Sequence, residues 1–257
     1  MSDRYRGGWT LRGPELLGIL LIVVGAVYFL GNANVFHVSW SLIWPILIIG
    51  VGGVVLLSAV RPRGDTALSA EVPRDATQQL ELELAVGGGA FALRGGAPQL
   101  VAVRSNRDDI VTRVERSGSR ARVRLRQDVS WVPFGGRTYS EWNVNLTDDV
   151  PTALMVQGGA GSFDVDLSTA RIVDARLTFG AARARVTLPR PAGEVNIRIS
   201  TGAASVTILV PPGVEACVGT SGGLLQLEGR SETPGYASAR DRVTVAVMGG
   251  ASSVKII

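Results

Sequence analysis

The sequence has almost no cysteine, histidine or lysine: its 257 residues include one of each, Cys217, His37 and Lys255. A single cysteine excludes an intrachain disulfide and leaves the redox compartment open. Because the only histidine lies near the N-terminus, no Ser-His-Asp or Cys-His arrangement is expected in the C-terminal part of the chain. We interpret His37 as an ordinary polar residue between two apolar segments, so nucleophilic catalysis is not indicated.

Charged residues are also missing from a run of 45 residues that starts at Leu16. This run contains two apolar spans, 14–31 and 41–60. As helices with a rise of 1.5 Å per residue they would be about 27 and 30 Å long, close to the thickness of the hydrocarbon core of a bilayer. The sequence therefore predicts a two-helix transmembrane hairpin over residues 14–60, after a basic tail at 1–13.

Aromatic and small residues of this segment fit the hairpin. Trp40 and Trp44 lie where interfacial aromatic residues are expected. Four glycines are candidate positions for close helix packing: Gly18, Gly25, Gly50 and Gly53. The first span could instead be a cleaved signal peptide, but no small-x-small cleavage site follows it and the second span begins within ten residues.

Arginine flanks the hairpin on one side only. Three arginines precede the first span and two follow the second, and the connecting segment has none: Arg4, Arg6, Arg12, Arg61 and Arg63. The positive-inside rule then predicts that both termini, with residues 64–257, are cytoplasmic.

Beyond a linker at 61–77, residues 78–257 show the period of two that is typical of β-strands and no sustained helical period. Alternation is clear in these segments: 79–86, 100–105, 120–127, 142–146, 193–200 and 242–248. Gly-rich and Pro-rich turns separate them. We therefore expect an all-β domain.

A repeat predicts how these strands are arranged. A Gly-Ala step followed by a strand recurs, and the turn glycines are 21, 22, 21 and then 27 residues apart: Gly159, Gly180, Gly202, Gly223 and Gly250. A period of about 21 residues is typical of a solenoid-like stack of units. Only small residues fit where stacked units turn a tight corner. The last unit runs to Ile257, so the C-terminal residues should form a strand of the stack.

One strand of this domain has a wholly cationic face. Four arginines alternate with Ala121, Val123 and Leu125: Arg120, Arg122, Arg124 and Arg126. Three interpretations remain open: a solvated face paired with acidic residues of neighbouring strands, a surface that docks on anionic lipid, or a contact with a partner protein. Nucleic acid is not an expected partner, because residues 64–257 carry 21 basic against 20 acidic groups and no aromatic residues interleave with these arginines.

Other polar and aromatic residues give weaker signals. Asp164 and Asp166 share one face of a strand, but no further acidic residue follows at the spacing of a calcium-binding repeat, which favours a solvated face. Cys217 is interpreted as a buried small group. An aromatic cluster around a Gly-Gly turn is either a recognition surface or a hairpin that closes one end of the stack: Trp131, Phe134, Tyr139 and Trp142. No cofactor or metal is expected.

The chain resembles a known family. The segment "WPILIIGVGGVVLL" resembles the membrane region of LiaF-like proteins, the cell-wall-active antibiotic response family of bacteria. The segments "GGAGSFDVDLS", "VTLPRPAGEVNIRISTGAASVTILVPPGV" and "GGASSVKI" are similar to the repetitive β domain of LiaF-like and toast-rack proteins. The resemblance implies a protein of the bacterial plasma membrane with a β-solenoid domain and, in some members, control of a sensor histidine kinase. It brings no catalytic residues.

Together these features predict a transmembrane hairpin followed by a solenoid-like β domain. The expected function is a non-enzymatic regulator of the cell-envelope stress response that acts by protein contact. The alternative is a membrane-attached scaffold, a homo-oligomer that assembles through its β domain. An enzyme is the least favoured class.

Overall fold

The computed structural model describes residues 68–106, 110–127 and 140–257. These residues form thirteen β-strands of one hydrogen-bonded sheet. The strands are β1 (Leu68–Val72), β2 (Gln79–Val86), β3 (Gly89–Arg94), β4 (Val101–Ser105), β5 (Ile110–Ser117), β6 (Arg120–Gln127), β7 (Ser140–Leu146), β8 (Thr152–Gly158), β9 (Gly161–Asp166), β10 (Ile172–Thr187), β11 (Glu194–Leu209), β12 (Ala216–Glu228) and β13 (Arg242–Ile256).

The predicted tail and hairpin, with their candidate glycines and interfacial tryptophans, lie outside the described residues. Within the described ranges, no helix combines the length and the apolar character needed to cross a membrane.

The strands form stacked layers, in which one long strand or two consecutive short strands turn a corner. The burial pattern locates this corner. In β10 the odd-numbered Leu177 and Phe179 point into the core, but beyond Gly180 the even-numbered Ala184 and Val186 do so. The same change of phase occurs in β11 and β13. Because side chains alternate along a strand, this change means that the sheet bends there and encloses one core between two faces.

The two faces are extended by the same four long strands. The first face runs β5-β6-β2-β8 and continues through the first halves of β10, β11, β13 and β12. The second face runs β1-β4-β7-β3-β9 and continues through their second halves. Pairing is parallel except where β5 joins β6, β4 joins β7 and β1 joins β4. The predicted all-β, solenoid-like architecture is confirmed.

The order of the layers differs from the order of the repeat. A stack in strict chain order would place the unit at Gly223 on the unit at Gly202. Instead β13 pairs with both β11 and β12, so the C-terminal strand lies between them and β12 forms the last layer. The expectation that the C-terminal residues form a strand of the stack is confirmed.

Glycine lines the corners because the backbones of successive layers touch there. A Cβ atom built on Gly180 would lie 2.9 Å from the carbonyl oxygen of Gly159, and one built on Gly202 would lie 3.2 Å from that of Gly180. A methyl group at Gly180 would require the facing backbone to shift, and one at Gly202 would need a smaller adjustment, which agrees with the reason anticipated for the repeated Gly-Ala step.

Aromatic rings fill the core beside the corners. The ring centroids of Phe91 and Phe163 are 5.9 Å apart, and those of Phe163 and Phe179 are 4.7 Å apart. All three residues are buried and come from successive layers. The stack is therefore stabilised by aromatic packing across layers, in addition to the ladder of backbone hydrogen bonds.

The folded domain begins earlier than the sequence indicated. Strand β1 lies inside the segment 61–77 that was interpreted as a linker, and it pairs with β4 in antiparallel register. Its five residues, LSAEV, are too few for the alternation to stand out from the polar residues on both sides.

Candidate functional surfaces

The arginine face predicted from the sequence lies on β6, between β2 and β5. Ala121, Val123 and Leu125 are buried in the core, so the alternating arginines point outward on the first face. Strand β2 is parallel to β6 and places Glu81 beside Arg122 and Glu83 beside Arg124. The face is therefore next to a row of carboxylates.

Two of the four arginines are held by these carboxylates. Arg122 binds Glu81 through two hydrogen bonds, Nε to Oε2 at 2.8 Å and Nη2 to Oε1 at 2.6 Å. Arg124 donates from Nε to Glu83 at 3.0 Å and from Nη1 to Glu115 at 3.1 Å. The hydrogen bonds from Arg122 lower the pKa of Glu81, and the same contact raises the pKa of Arg122. This part of the face is ionised and largely neutral as a whole.

The other two arginines lack a carboxylate partner among the described residues. Arg120 donates to the amide oxygen of Gln79 at 2.7 Å. Arg126 is exposed and lies beside Ala85 of β2 and Val111 of β5. The charge that the first face offers to an outside partner is therefore smaller than four arginines suggest.

A second cationic pair lies further along the first face, which the sequence analysis missed. Strand register places Arg176 of β10 directly beside Arg198 of β11, and both side chains are exposed. Neither has an ion-pair partner in the described part of the chain. Like charges side by side on neighbouring strands repel each other, so this pair is a candidate contact for an anionic surface. The sequence could have revealed this pair only if successive repeats were aligned with a shift of 22 residues, which is the spacing between Arg176 and Arg198.

A groove of about 610 Å³ lies beside the arginine face. Arg116, Arg120 and Glu115 line its polar side, and Val173 and Pro151 line its apolar side. Arg116 is itself bound to Asp75 at 3.1 Å and donates to the carbonyl oxygen of Pro73. Of the charges in the groove wall, Arg116 is therefore paired with a carboxylate, whereas Arg120 is bound only to the neutral amide of Gln79.

The predicted acidic pair is divided between two structural roles. Asp164 lies 3.7 Å from Arg94, and Asp166 accepts a hydrogen bond from the backbone N–H of Ser168 at 3.0 Å. In the described ranges, no three His, Cys, Asp or Glu side chains come together as metal ligands would. The carboxylates act as a surface ion pair and a turn cap.

Cys217 is half-buried, whereas the sequence analysis interpreted it as a buried group. It alternates with the buried Ala216 and Val218, so it faces outward, beneath the segment that bridges back to it at Glu232. Burial and then the negative charge of Glu232 raise the pKa of its thiol. A raised pKa leaves little thiolate at neutral pH, which is the state of an unreactive cysteine.

Trp142 belongs to the core and not to a surface cluster. Its side chain is fully buried in β7, and Nε1 donates to the hydroxyl of the buried Ser140 at 2.9 Å. The aromatic residues Trp131, Phe134 and Tyr139 lie outside the described residues. The interpretation of the four as one recognition surface or closing hairpin therefore fails for Trp142.

The last layer of the stack carries an apolar edge. Strand β12 pairs with β13 on one side only, and residues 231–233 cover the other side as far as Val218 through backbone hydrogen bonds. In residues 219–228 that side meets no other described strand. Leu224 is 79% exposed and Leu227 is 41% exposed, which is unusual beside a core whose inner leucines are buried.

These features define a solenoid-like β-sheet protein with two faces and an exposed apolar edge at β12. Residues 63–209 match the family described as the N-terminal domain of toast_rack, DUF2154. Because the match covers more than half of the sequence, the chain belongs to the toast-rack family.

Two solved structures show related geometry. A candidate cell adhesion protein from Clostridium sporogenes ATCC 15579 has a TM-score of 0.67 at 17% identity, covering 74% of this chain and 98% of that chain. A candidate adhesin from Bacteroides fragilis NCTC 9343 has a TM-score of 0.34 at 10% identity, covering 76% and 99%. The first likeness is one of fold alone, and the second supports no argument. No curated protein matches this chain.

Proposed function

We propose that the chain is a non-enzymatic, membrane-tethered regulator of the bacterial cell-envelope stress response that acts by protein contact. The two-helix hairpin predicted at 14–60 would hold the protein in the plasma membrane with the β domain in the cytoplasm. The resemblance of that segment to LiaF-like proteins suggests a sensor histidine kinase as the partner.

One observation carries the contact role: the open apolar edge lies at the end of the stack opposite β1. The second face runs from β1 to β12 through eight strand spacings. At about 4.8 Å per spacing, the exposed leucines lie roughly 38 Å from the point where the chain enters the domain. A rigid domain that presents an apolar strand at its far end suits binding better than turnover of a substrate.

A scaffold that grows by head-to-tail stacking is the second candidate. Such growth would place β12 of one copy against an edge at the other end of the next copy. The open edge lies on the second face, and the other end of that face is β1, a strand of only five residues that carries the charged and exposed Glu71. Charges on an edge strand oppose pairing with another strand, so this arrangement has less support.

Crosslinking in native membranes, followed by identification of the captured proteins, tests the regulator. We expect a kinase to be captured and an envelope-stress reporter to change when the gene is deleted. Replacing Gly50 and Gly53 with leucine should reduce capture if these glycines pack against the partner's helices. Ile48→Leu in the same span is the matched control and should leave capture unchanged.

Capture of copies of this chain alone, together with unaltered reporters after deletion, would contradict the regulator and favour the scaffold.

A further inference from the structure

The open edge of β12, defined as residues 222–228, has the chemistry of a dimer interface. Its backbone N–H and C=O groups on one side meet no described strand, so they remain available to a further strand. Leu224 points outward. Leu225 and Leu227 point towards the core, at the end of the core that no further described strand covers. An added strand would therefore satisfy backbone groups and cover leucines on both sides of the sheet.

The charge of the edge selects the kind of strand that fits it. Residues 216–227 contain no charged side chain, and the one at 228, Glu228, is already bound to Lys255 at 3.1 Å. A highly charged strand would lose its hydration here and meet no opposite charge. The fitting partner is a neutral strand with apolar residues on both faces. Residues 222–228 of a second copy are such a strand.

We propose that two copies of the chain pair their β12 edges in antiparallel register to form a closed, two-fold dimer. With the two-fold axis at Leu225, this residue meets its own copy, Leu224 lies opposite Gln226, and Glu228 lies opposite Gly222. Residues opposite each other in antiparallel strands share one face, so outward residues meet outward residues and the uncovered core ends meet each other. No like charges are opposed in this register.

The dimer stops growing after one contact. Both β12 edges are used, and the opposite end of the second face, on which these edges lie, is β1, a five-residue strand with the charged Glu71, which resists edge pairing. An isologous contact between identical patches gives a closed pair and not a filament. The dimer does not depend on the proposed regulatory function, because it needs no kinase.

Mass measurement on the full chain in detergent micelles tests the dimer directly. We expect a protein mass twice that of the 27.0 kDa chain. Leu224→Lys should convert it to the monomer over the same concentration range, because a lysine would stand beside each paired edge. This side chain is 79% exposed within one chain, so the variant monomer should remain folded, with the circular dichroism spectrum of the wild type. Val111→Lys, at a half-exposed position of the edge strand β5, should leave the mass doubled.

Cysteine crosslinking tests the register. In a Cys217→Ser background, Leu225→Cys should form a covalent dimer on mild oxidation, whereas Ser69→Cys on the β1 edge, at the other end of the same face, should not. A monomeric mass at every concentration without covalent dimer overturns the proposal. A ladder of larger species, in which both cysteine positions react, overturns it in favour of head-to-tail stacking. A covalent adduct to a different protein in native membranes, in place of the dimer, overturns it in favour of an unrelated partner strand.

Discussion

Gly159 donates its backbone N–H to the carbonyl oxygen of Gly87 across two neighbouring layers, with 2.7 Å between the two atoms. Gly87 follows β2 and Gly159 follows β8, so the bond joins the corners of successive layers. A Cβ atom on Gly159 would lie 2.3 Å from the same oxygen. The same close approach of the two backbones thus forms the corner hydrogen bond and leaves no space for a side chain.

Gly159→Ala should therefore destabilise the domain. The methyl group must push two layers apart at the corner, and overpacking of this kind costs about 1–3 kcal/mol. The midpoint of urea unfolding should fall accordingly. Gly219→Ala on β12 is the matched control, because the nearest atom to its Cβ would be 4.0 Å away. Equal losses from the two substitutions would show that the close approach at Gly159 does not set the cost.

Trp142 and Ser140 allow a second test, inside the core. Ser140→Ala removes the acceptor of the buried Nε1–H, and an unsatisfied buried donor costs about 1–3 kcal/mol. In a Trp142→Phe background the same substitution should cost less, because no indole N–H remains to be satisfied. Urea unfolding of the four proteins in the double-mutant cycle measures the difference. If Ser140→Ala costs the same in both backgrounds, the hydrogen bond contributes nothing measurable.

The pair formed by Glu81 and Arg122 predicts a pH dependence. Arg122 lowers the pKa of Glu81 in the folded state, so the folded protein binds this proton more weakly than the unfolded chain does. The pair therefore contributes its stability above the unfolded pKa of about 4.3, and loses it as the pH falls through the folded value.

Glu81→Gln should flatten this acid-side fall in melting temperature. Arg122→Gln should flatten it too, since the guanidinium is the main cause of the shift. Because both side chains are substantially exposed, the effect should shrink in high salt. Melting curves between neutral pH and about pH 3 measure it. A fall that stays parallel to that of the wild type in both variants would argue against the pair as its source.

The parts of the fold that follow local rules could be predicted from the sequence. Strands β2 and β6 were located to the residue, because strict alternation of leucine or valine with charged residues marks both ends. The close corners followed from the recurrent glycine, because the need for a small residue is local. Strand β1 was missed because five residues give too short a pattern.

The contacts between distant segments could not be predicted in the same way. Glu83 and Arg124 are 41 residues apart, and nothing in either strand specifies that the two strands are neighbours in this register. The position of β12 cannot be obtained from the repeat, because its spacing from β11 equals the period although β13 inserts between them. The exposed leucines at the open edge follow from that order, so the sequence alone could not locate them.

Docking on anionic lipid was considered for the arginines of β6, and the same role can be tested for the first face at Arg176 and Arg198, which also have no carboxylate partner among the described residues. For residues 64–257 on anionic vesicles at low salt, Arg176→Gln combined with Arg198→Gln should weaken binding. At about 1 kcal/mol for each arginine near an anionic surface, the loss should be roughly 30-fold. Arg183→Gln with Arg185→Gln removes the same charge from exposed positions of β10 on the second face, and is the matched control. Equal losses would show that only net charge matters, and a wild-type domain that does not float with anionic vesicles would end the lipid interpretation.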